Sequence, residues 1–255
     1  MPGRRRGSPQ HWPTAASSPL PRADRASLPN NRGAPTRRTQ AKGTNARGQA
    51  TRELLLVTAE RLFAERGIAA VPMRDIAQAA GQRNNTAIPY HFGDREGLIR
   101  AITIYRGRPT EELRAKMLAD LLDQPTPVRV HDLVTAMIAP LVIHFDEGNH
   151  NLAFQARLLT ERGEFANASG ELPGAMAMIP ELLCRRLPHM PEETVRLRYT
   201  MAITSAIHTL AHYQDLLQAG RLPQPLDALI NDMINFLSAG IDAPFESGAS
   251  ELDVG

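Results

Sequence analysis

From Thr51 onwards apolar residues recur at helical spacing, and no stretch alternates apolar and polar side chains as a half-buried strand would. In "TRELLLVTAERLFAERG", Leu55, Ala59, Leu62 and Phe63 stand at i, i+4, i+7 and i+8, one face of a helix over about 51–66, and Gly67 supplies its stop. Pro72 suits the first turn of a second helix, where its missing N–H costs nothing. Met73, Ile76, Ala77 and Ala80 then repeat at i, i+3, i+4 and i+7 up to Gly81. Beyond Pro109, breakers at Pro125, Pro127, Gly148, Gly163, Gly170, Pro188, Pro191, Pro223 and Pro225 divide the chain into further helical pieces, with no internal repeat and no nucleotide-binding glycine motif. This pattern predicts an all-α chain.

The 255 residues are enough to bury a sizeable core. No apolar run approaches the roughly 20 residues needed to span a bilayer, and "AMIAPLVIHF" at 136–145 is broken by Pro140, so no membrane association is expected. The single cysteine, Cys184, cannot form an intrachain disulfide, which fits a reducing cytoplasm. Of the 29 basic and 27 acidic side chains, ten and one lie in the first fifty residues, so the excess positive charge sits at the N-terminus and the remainder is net acidic. Overall basicity is therefore poor evidence that the folded part binds nucleic acid. Seven prolines and little apolar periodicity predict a disordered basic tail over 1–48. Three readings of that tail stand open: a transit peptide, against which its regular prolines argue, a non-specific DNA-binding arm, or an inert or wrongly assigned start.

"GQRNNTAIPYHF", residues 81–92, breaks the Ala- and Leu-rich pattern with a glycine, amide and basic side chains, and an aromatic pair around His91. A two-turn helix, a glycine, a few polar residues and another short helix make a helix-turn-helix, whose second helix enters the major groove. Asn84, Asn85 and Thr86 are all good N-caps, and with either Asn85 or Thr86 as cap Pro89 falls within or just beyond the first turn, where it removes at most one helical hydrogen bond. Arg and Asn here can donate to phosphates and base edges, while Tyr90 and His91 carry polar tips on aromatic bodies. Phe92 is expected to turn inward. Taken alone, the segment reads equally well as a polar solvent-exposed loop.

It does not stand alone. The stretch from Thr51 to about Ile104 contains "AERLFAERGI", "MRDIAQAAG" and "YHFGDREGLI" in that order and spacing, and it resembles the DNA-binding domain of the tetracycline-repressor (TetR) family of bacterial transcription regulators. The resemblance covers about 55 residues; the rest matches only in length and helical character. It implies a DNA-binding set of Arg74, Gln82, Arg83, Asn84, Asn85, Thr86, Ala87, Tyr90, His91 and Arg95. Two departures stand out. Val71 and Pro72 occupy positions where many members open the second helix with Ser or Thr, so that phosphate contact is absent or moved to Arg74. The segment from Gly81 to Tyr90 also looks one residue longer than the commonest pattern.

Asp94 can cap a fourth helix over about 94–107, with Leu98, Ile99, Ile102 and Tyr105 inward. In the resembling family this helix links the DNA reader to a ligand domain. The pieces at 191–220 and 224–240 carry apolar faces, Val195, Tyr199, Ala202, Ile203, Ala206 and Leu210 on the first and Leu229, Met233, Phe236 and Leu237 on the second. The family pairs its last two long helices in a four-helix bundle, which implies a homodimer, with Ala202, Ser205 and Ala206 allowing close approach; packing within one subunit is the other reading. Met137, Phe154, Met176 and Met178 can line an adaptable apolar pocket or be plain core.

The expected organisation is a tail over 1–48, a helix-turn-helix domain over 49–107, a helical effector-binding and dimerisation domain over 108–241 and a flexible tail over 242–255. The expected function is a non-enzymatic regulator, a repressor that binds a palindrome in double-stranded DNA as a homodimer until a small molecule changes the spacing of its two readers, with no cofactor. Two alternatives are carried: an all-α metal-dependent enzyme using His208, His212 and Asp215, whose spacing suits metal ligands on one helix, and a DNA-bound scaffold with no ligand.

Overall fold

The computed structural model describes residues 37–82, 84, 86–163 and 174–245. Two compact units are distinguished, residues 1–43 and 44–255. Of the first, residues 37–43 are described and are helical. Among the described residues there is no strand, so the chain is all-α as its periodicity predicts.

The reading of a disordered tail up to residue 48 is corrected at its end. Helix α1 (Arg37–Arg66) starts inside it, because Pro35 is the last proline before Pro72, and Gly43 and Gly48 each cost a helix only about 1 kcal/mol. Helices α2 (Met73–Ala79) and α3 (Ala87–Phe92) follow, Pro72 standing at the N-cap of the first, just before the turn in which it was expected. Leu55, Leu62 and Phe63 of α1, Ile76 of α2, Ile88 of α3 and Leu98 and Ile102 of the next helix close a small core among them.

Helix α4 (Arg95–Leu122) begins at Asp94, whose carboxylate accepts the Gly97 N–H at 2.8 Å, the expected cap. Its far end overturns the expected stop, for the helix runs through Pro109. A proline inside a helix costs about 3 kcal/mol. Thr110, Glu111, Arg114 and Leu118 beyond it are all buried, and burying Leu118 alone returns roughly 1.5–3 kcal/mol. The domain border drawn at 107 thus falls inside one helix.

The remaining elements are α5 (Val130–Ile138), a 3-10 segment (Ala139–Phe145), α6 (Asn151–Arg162), α7 (Ala175–Arg186), α8 (Glu192–Gln218) and α9 (Leu226–Asp242). Leu133, Val134 and Met137 of α5, Ile179 and Leu183 of α7, Ile203 and Leu210 of α8 and Ile230 and Ile234 of α9 form a second core. Ala202 and Ala206, expected at a subunit interface, are buried inside this core, whereas Ser205 faces outward. Phe236, read as part of the apolar face of α9, is 75% exposed, while Met233 and Leu237 of that face are buried. No helix among the described residues is long and apolar enough to cross a membrane.

Candidate nucleic-acid interface and interior cavity

The polar segment that interrupts the helical pattern is built as a tight turn between α2 and α3. Gly81 takes a left-handed conformation, φ +68°, and the Gln82 N–H closes back on the Ala77 carbonyl at 2.9 Å. The Asn84 side chain accepts the Thr86 N–H at 3.0 Å, and its carbonyl receives the Ala87 N–H at 3.3 Å, so Asn84 sets the entry into α3. Pro89 sits in the first turn, where no helical bond is lost.

Ile88 anchors α3 in the core, and the opposite side of the helix is left outward. Tyr90 is 84% exposed and meets His91 edge-on at 4.9 Å between ring centroids. Phe92 is half-buried, with the Arg52 guanidinium over its ring at 5.2 Å. Asn84, Thr86 and Arg74 are exposed; Gln82 and Ala87 are half-buried. Arg83 and Asn85 lie outside the described residues. Arg95 departs from its expected place: it turns inward, donates to the carbonyls of Ile68 and Val71, the latter at 2.8 Å, and lies over the Phe63 ring. These bonds hold the corner between α1 and α2, and we leave Arg95 out of the interface.

Two glycines in "YHFGDREGLI" fix how α3 meets α4. Gly93 turns the chain with φ +80°. A Cβ added to Gly97 would collide with the Phe92 carbonyl oxygen, so α4 packs directly on the last peptide of α3 only because Gly97 has no side chain. A groove of about 740 Å³ runs beside this junction, lined by Arg52, Arg100, Arg108 and His91 with Phe92 and Tyr105, and among the described residues no carboxylate lines it.

Helix α6 ties the reader to the rest of the chain. Phe154 stacks on Phe63 at 6.2 Å, so this residue, placed in a ligand pocket from sequence, belongs to the reader core. The Glu161 carboxylate accepts the N–H groups of Ile68 and Ala69 at 2.9 and 3.1 Å, and Arg157 donates to the Ala64 carbonyl at 3.3 Å. Arg106 of α4 grips Glu60 of α1 through both carboxylate oxygens at 2.6–3.0 Å.

A half-open pocket of about 380 Å³ lies among α4, α6, α7, α8 and the 3-10 segment. Its walls combine Leu141, Met176, Ile203 and Ile207 with Thr110, Glu111, Arg114, Gln155 and Tyr199. Of the four pocket residues read from sequence, Met176 lines it, Met137 is core and Met178 points to solvent. The polar set escaped notice because Glu111 and Arg114 lie beyond Pro109, where the helix was expected to have ended. Arg114, 3% exposed, pairs with Glu111. Burial lowers its pKa to about 10, which leaves it charged at neutral pH.

Behind the cavity a buried polar network joins α4 to α8. His144 meets the Thr110 hydroxyl at 2.9 Å and the Asn149 amide at 3.4 Å, and Gln214 donates to the carbonyls of His144 and Asn149 at 2.6 and 2.9 Å. Burial, with the charges of Arg106 and Arg114, lowers the His144 pKa to about 4, so the ring is neutral. His208 and His212 are exposed on α8, and among the described residues no group of three or more His, Cys, Asp or Glu is placed to hold a metal ion. The metal-enzyme alternative therefore has no ligand set among these residues.

Residues 55–102 match the family described as bacterial regulatory proteins, tetR family, and residues 135–240 match the tetracyclin repressor-like C-terminal domain. The HTH-type transcriptional repressor BepR of Brucella suis biovar 1 (strain 1330) is 30% identical over 140 residues, 54% of this chain and 62% of BepR, so the match spans less than two thirds of that relative. Among solved structures, a gamma-butyrolactone receptor described as ArpA-like aligns over 75% of this chain and 98% of its own at 21% identity, with a TM-score of 0.44. A structure described as the molecular basis for control of antibiotic production by a bacterial hormone aligns over 76% and 96% at 19% identity, with a TM-score of 0.42. Neither overlap decides the family. With one match on the helix-turn-helix, a second on α6, α7, α8 and the 3-10 segment of the pocket wall, and the two together over more than half of its length, the chain belongs to the tetR family of bacterial regulatory proteins.

Proposed function

We infer that the protein is a ligand-responsive transcription regulator, a repressor that binds a palindromic site in double-stranded DNA as a homodimer. The observation that carries this reading is the α2–turn–α3 unit, which turns Asn84, Thr86 and Tyr90 outward from a helix anchored by Ile88, inside the segment matched to the family's N-terminal domain. Arg74, Gln82, Arg83, Asn84, Asn85, Thr86, Ala87, Tyr90 and His91 form the proposed contact set. In it the amides and Arg83 read base edges, and Tyr90 and His91 fix orientation on phosphates. The groove lined by Arg52, Arg100 and Arg108 extends positive charge beside α3.

Dimerisation is assigned to α8 and α9. Leu197 and Met201, one turn apart on α8, are each 60% exposed, and Phe236 projects from α9. Large apolar side chains left outward on two packed helices suit a second copy of the same face. The cavity is the proposed effector site. Its walls belong to α4, which packs under α3 through Gly97, and to α6, which holds the α1–α2 corner through Glu161. A ligand that favours one arrangement of these two helices changes the reader's position, and by linkage DNA must change ligand affinity by the same factor.

Selection of bound fragments from sheared bacterial genomic DNA tests the reading. Recovered fragments are expected to share an inverted repeat with half-sites about 34 Å apart or somewhat more, and the protein should sediment as a dimer. Recovery no better than that of random fragments would refute it.

A further inference from the structure

The wall chemistry of the half-open pocket narrows what can fill it, on the reading of that pocket as the effector site. Among the described residues each charge on the wall is already engaged. The Arg114 guanidinium pairs with Glu111 and donates to the Ala136 and Met137 carbonyls at 3.3 and 3.2 Å, and the other Glu111 oxygen accepts the Met176 N–H at 3.0 Å. Toward the outside, Arg196 bonds Glu181 and Glu192, each at 2.6 Å. At the inner wall a charged ligand would leave water without finding an unengaged opposite charge, or would have to break the desolvated Arg114–Glu111 pair, whereas the Arg196–Glu181 pair at the mouth is half exposed. Neither penalty falls on a neutral molecule, and Leu141, Met176, Ile203 and Ile207 give it apolar wall to cover.

Two polar groups on the wall keep unused hydrogen-bonding capacity: the Gln155 amide, whose Nε2 donates to Asn151 while its Oε1 has no donor among the described residues, and the Tyr199 hydroxyl. Among the described residues nothing hydrogen-bonds the Tyr199 hydroxyl, and no side-chain polar atom there is both buried and unsatisfied, so this oxygen opens on the cavity. Burial pushes its pKa up to about 12 and keeps it protonated. Protonated and without a partner among the described residues, the Tyr199 hydroxyl is available to donate to a ligand oxygen. We propose that the effector is a neutral molecule with an apolar body and a carbonyl oxygen that accepts the Tyr199 hydroxyl. At about 380 Å³ the cavity is in the range that holds compact organic ligands.

The test uses the full chain and a neutral apolar dye, N-phenyl-1-naphthylamine, whose fluorescence rises on leaving water. The dye should bind the wild type and lose binding in Ala177→Phe, which adds bulk at the cavity wall from an outward position on α7. Decan-2-one should displace it at about tenfold lower concentration than decanoate or decylammonium. Tyr199→Phe should raise the decan-2-one concentration required about fivefold and leave dye affinity unchanged, as expected for one lost hydrogen bond. Displacement by either charged chain as effective as by decan-2-one would overturn the neutral class, and an unchanged requirement in Tyr199→Phe would overturn the carbonyl contact. Dye that does not bind, or that binds Ala177→Phe as well as wild type, would instead overturn the reading of the cavity as a ligand site.

Discussion

Replacing Gly97 with alanine should damage the reader far more than its single methyl suggests. The added Cβ would lie well inside the roughly 3.3 Å at which a carbon meets a carbonyl oxygen. The atom it meets is the Phe92 carbonyl oxygen, part of the backbone, which cannot step aside by a rotamer change. Overpacking of this kind costs about 1–3 kcal/mol, and an immovable neighbour places it at the upper end. Alanine returns up to about 1 kcal/mol of helix propensity, which leaves a net loss near 2 kcal/mol. At about 2–4 °C per kcal/mol for a chain of this size, Tm should fall by about 4–8 °C. Gly240→Ala is the matched control, a helical glycine with nothing within 4 Å of its added Cβ, and should be neutral or slightly stabilising. Thermal unfolding of both variants, with DNA affinity measured well below Tm, checks the account. Relief of the clash must shift α3 against α4, so Gly97→Ala should bind DNA more weakly even where it is fully folded. Equal Tm values for the two variants would show that α3 does not rest on Gly97 as described.

Glu161→Ala removes the acceptor for the Ile68 and Ala69 N–H groups, and at this outward position the loss should be about 1–2 kcal/mol, read as a lower urea midpoint; an unchanged midpoint would mean that α6 does not hold the corner. His144 makes stability depend on acidity. Its folded pKa, about 4, lies below the unfolded value of 6.5, so the unfolded chain binds the extra proton and stability falls as pH drops from 6.5 to 4, by on the order of 3 kcal/mol. Urea titrations across that range should show a shallower slope for His144→Gln than for wild type, and parallel slopes would contradict a neutral buried ring.

The reader was legible in the sequence because its signals are local. Leu55, Leu62 and Phe63 mark the buried face of α1, Gly81 marks the turn and Asp94 marks the start of α4, and each acts within a few residues of itself. What was misread depends on contacts across the chain. Pro109 would stop an isolated helix, yet α4 continues because Glu111, Arg114 and Leu118 pack against helices that follow much later. The same residues carry the cavity's polar wall, and charged side chains on a helix ordinarily mark a solvent face, so nothing local announced it. Phe154 has the look of a pocket aromatic and instead completes the reader core, since α6 lies against α1. Arg95 follows the same rule: its exposure depends on the carbonyls left open at Ile68 and Val71, which sequence alone does not reveal.

The central claim is that DNA is read by the surface at the start of α3, and binding-site selection from randomised duplexes with wild type, Asn84→Ala and Tyr90→Phe tests it most directly. Asn84 is exposed at the entry to α3 and Tyr90 projects from its outer side. Wild type should yield an inverted repeat. Asn84→Ala should relax preference at one symmetric pair of positions by about 1–3 kcal/mol, and Tyr90→Phe should weaken cognate and random duplexes by similar factors. If both variants keep the wild-type preference at every position and the wild-type affinity, the reading surface lies elsewhere on the protein.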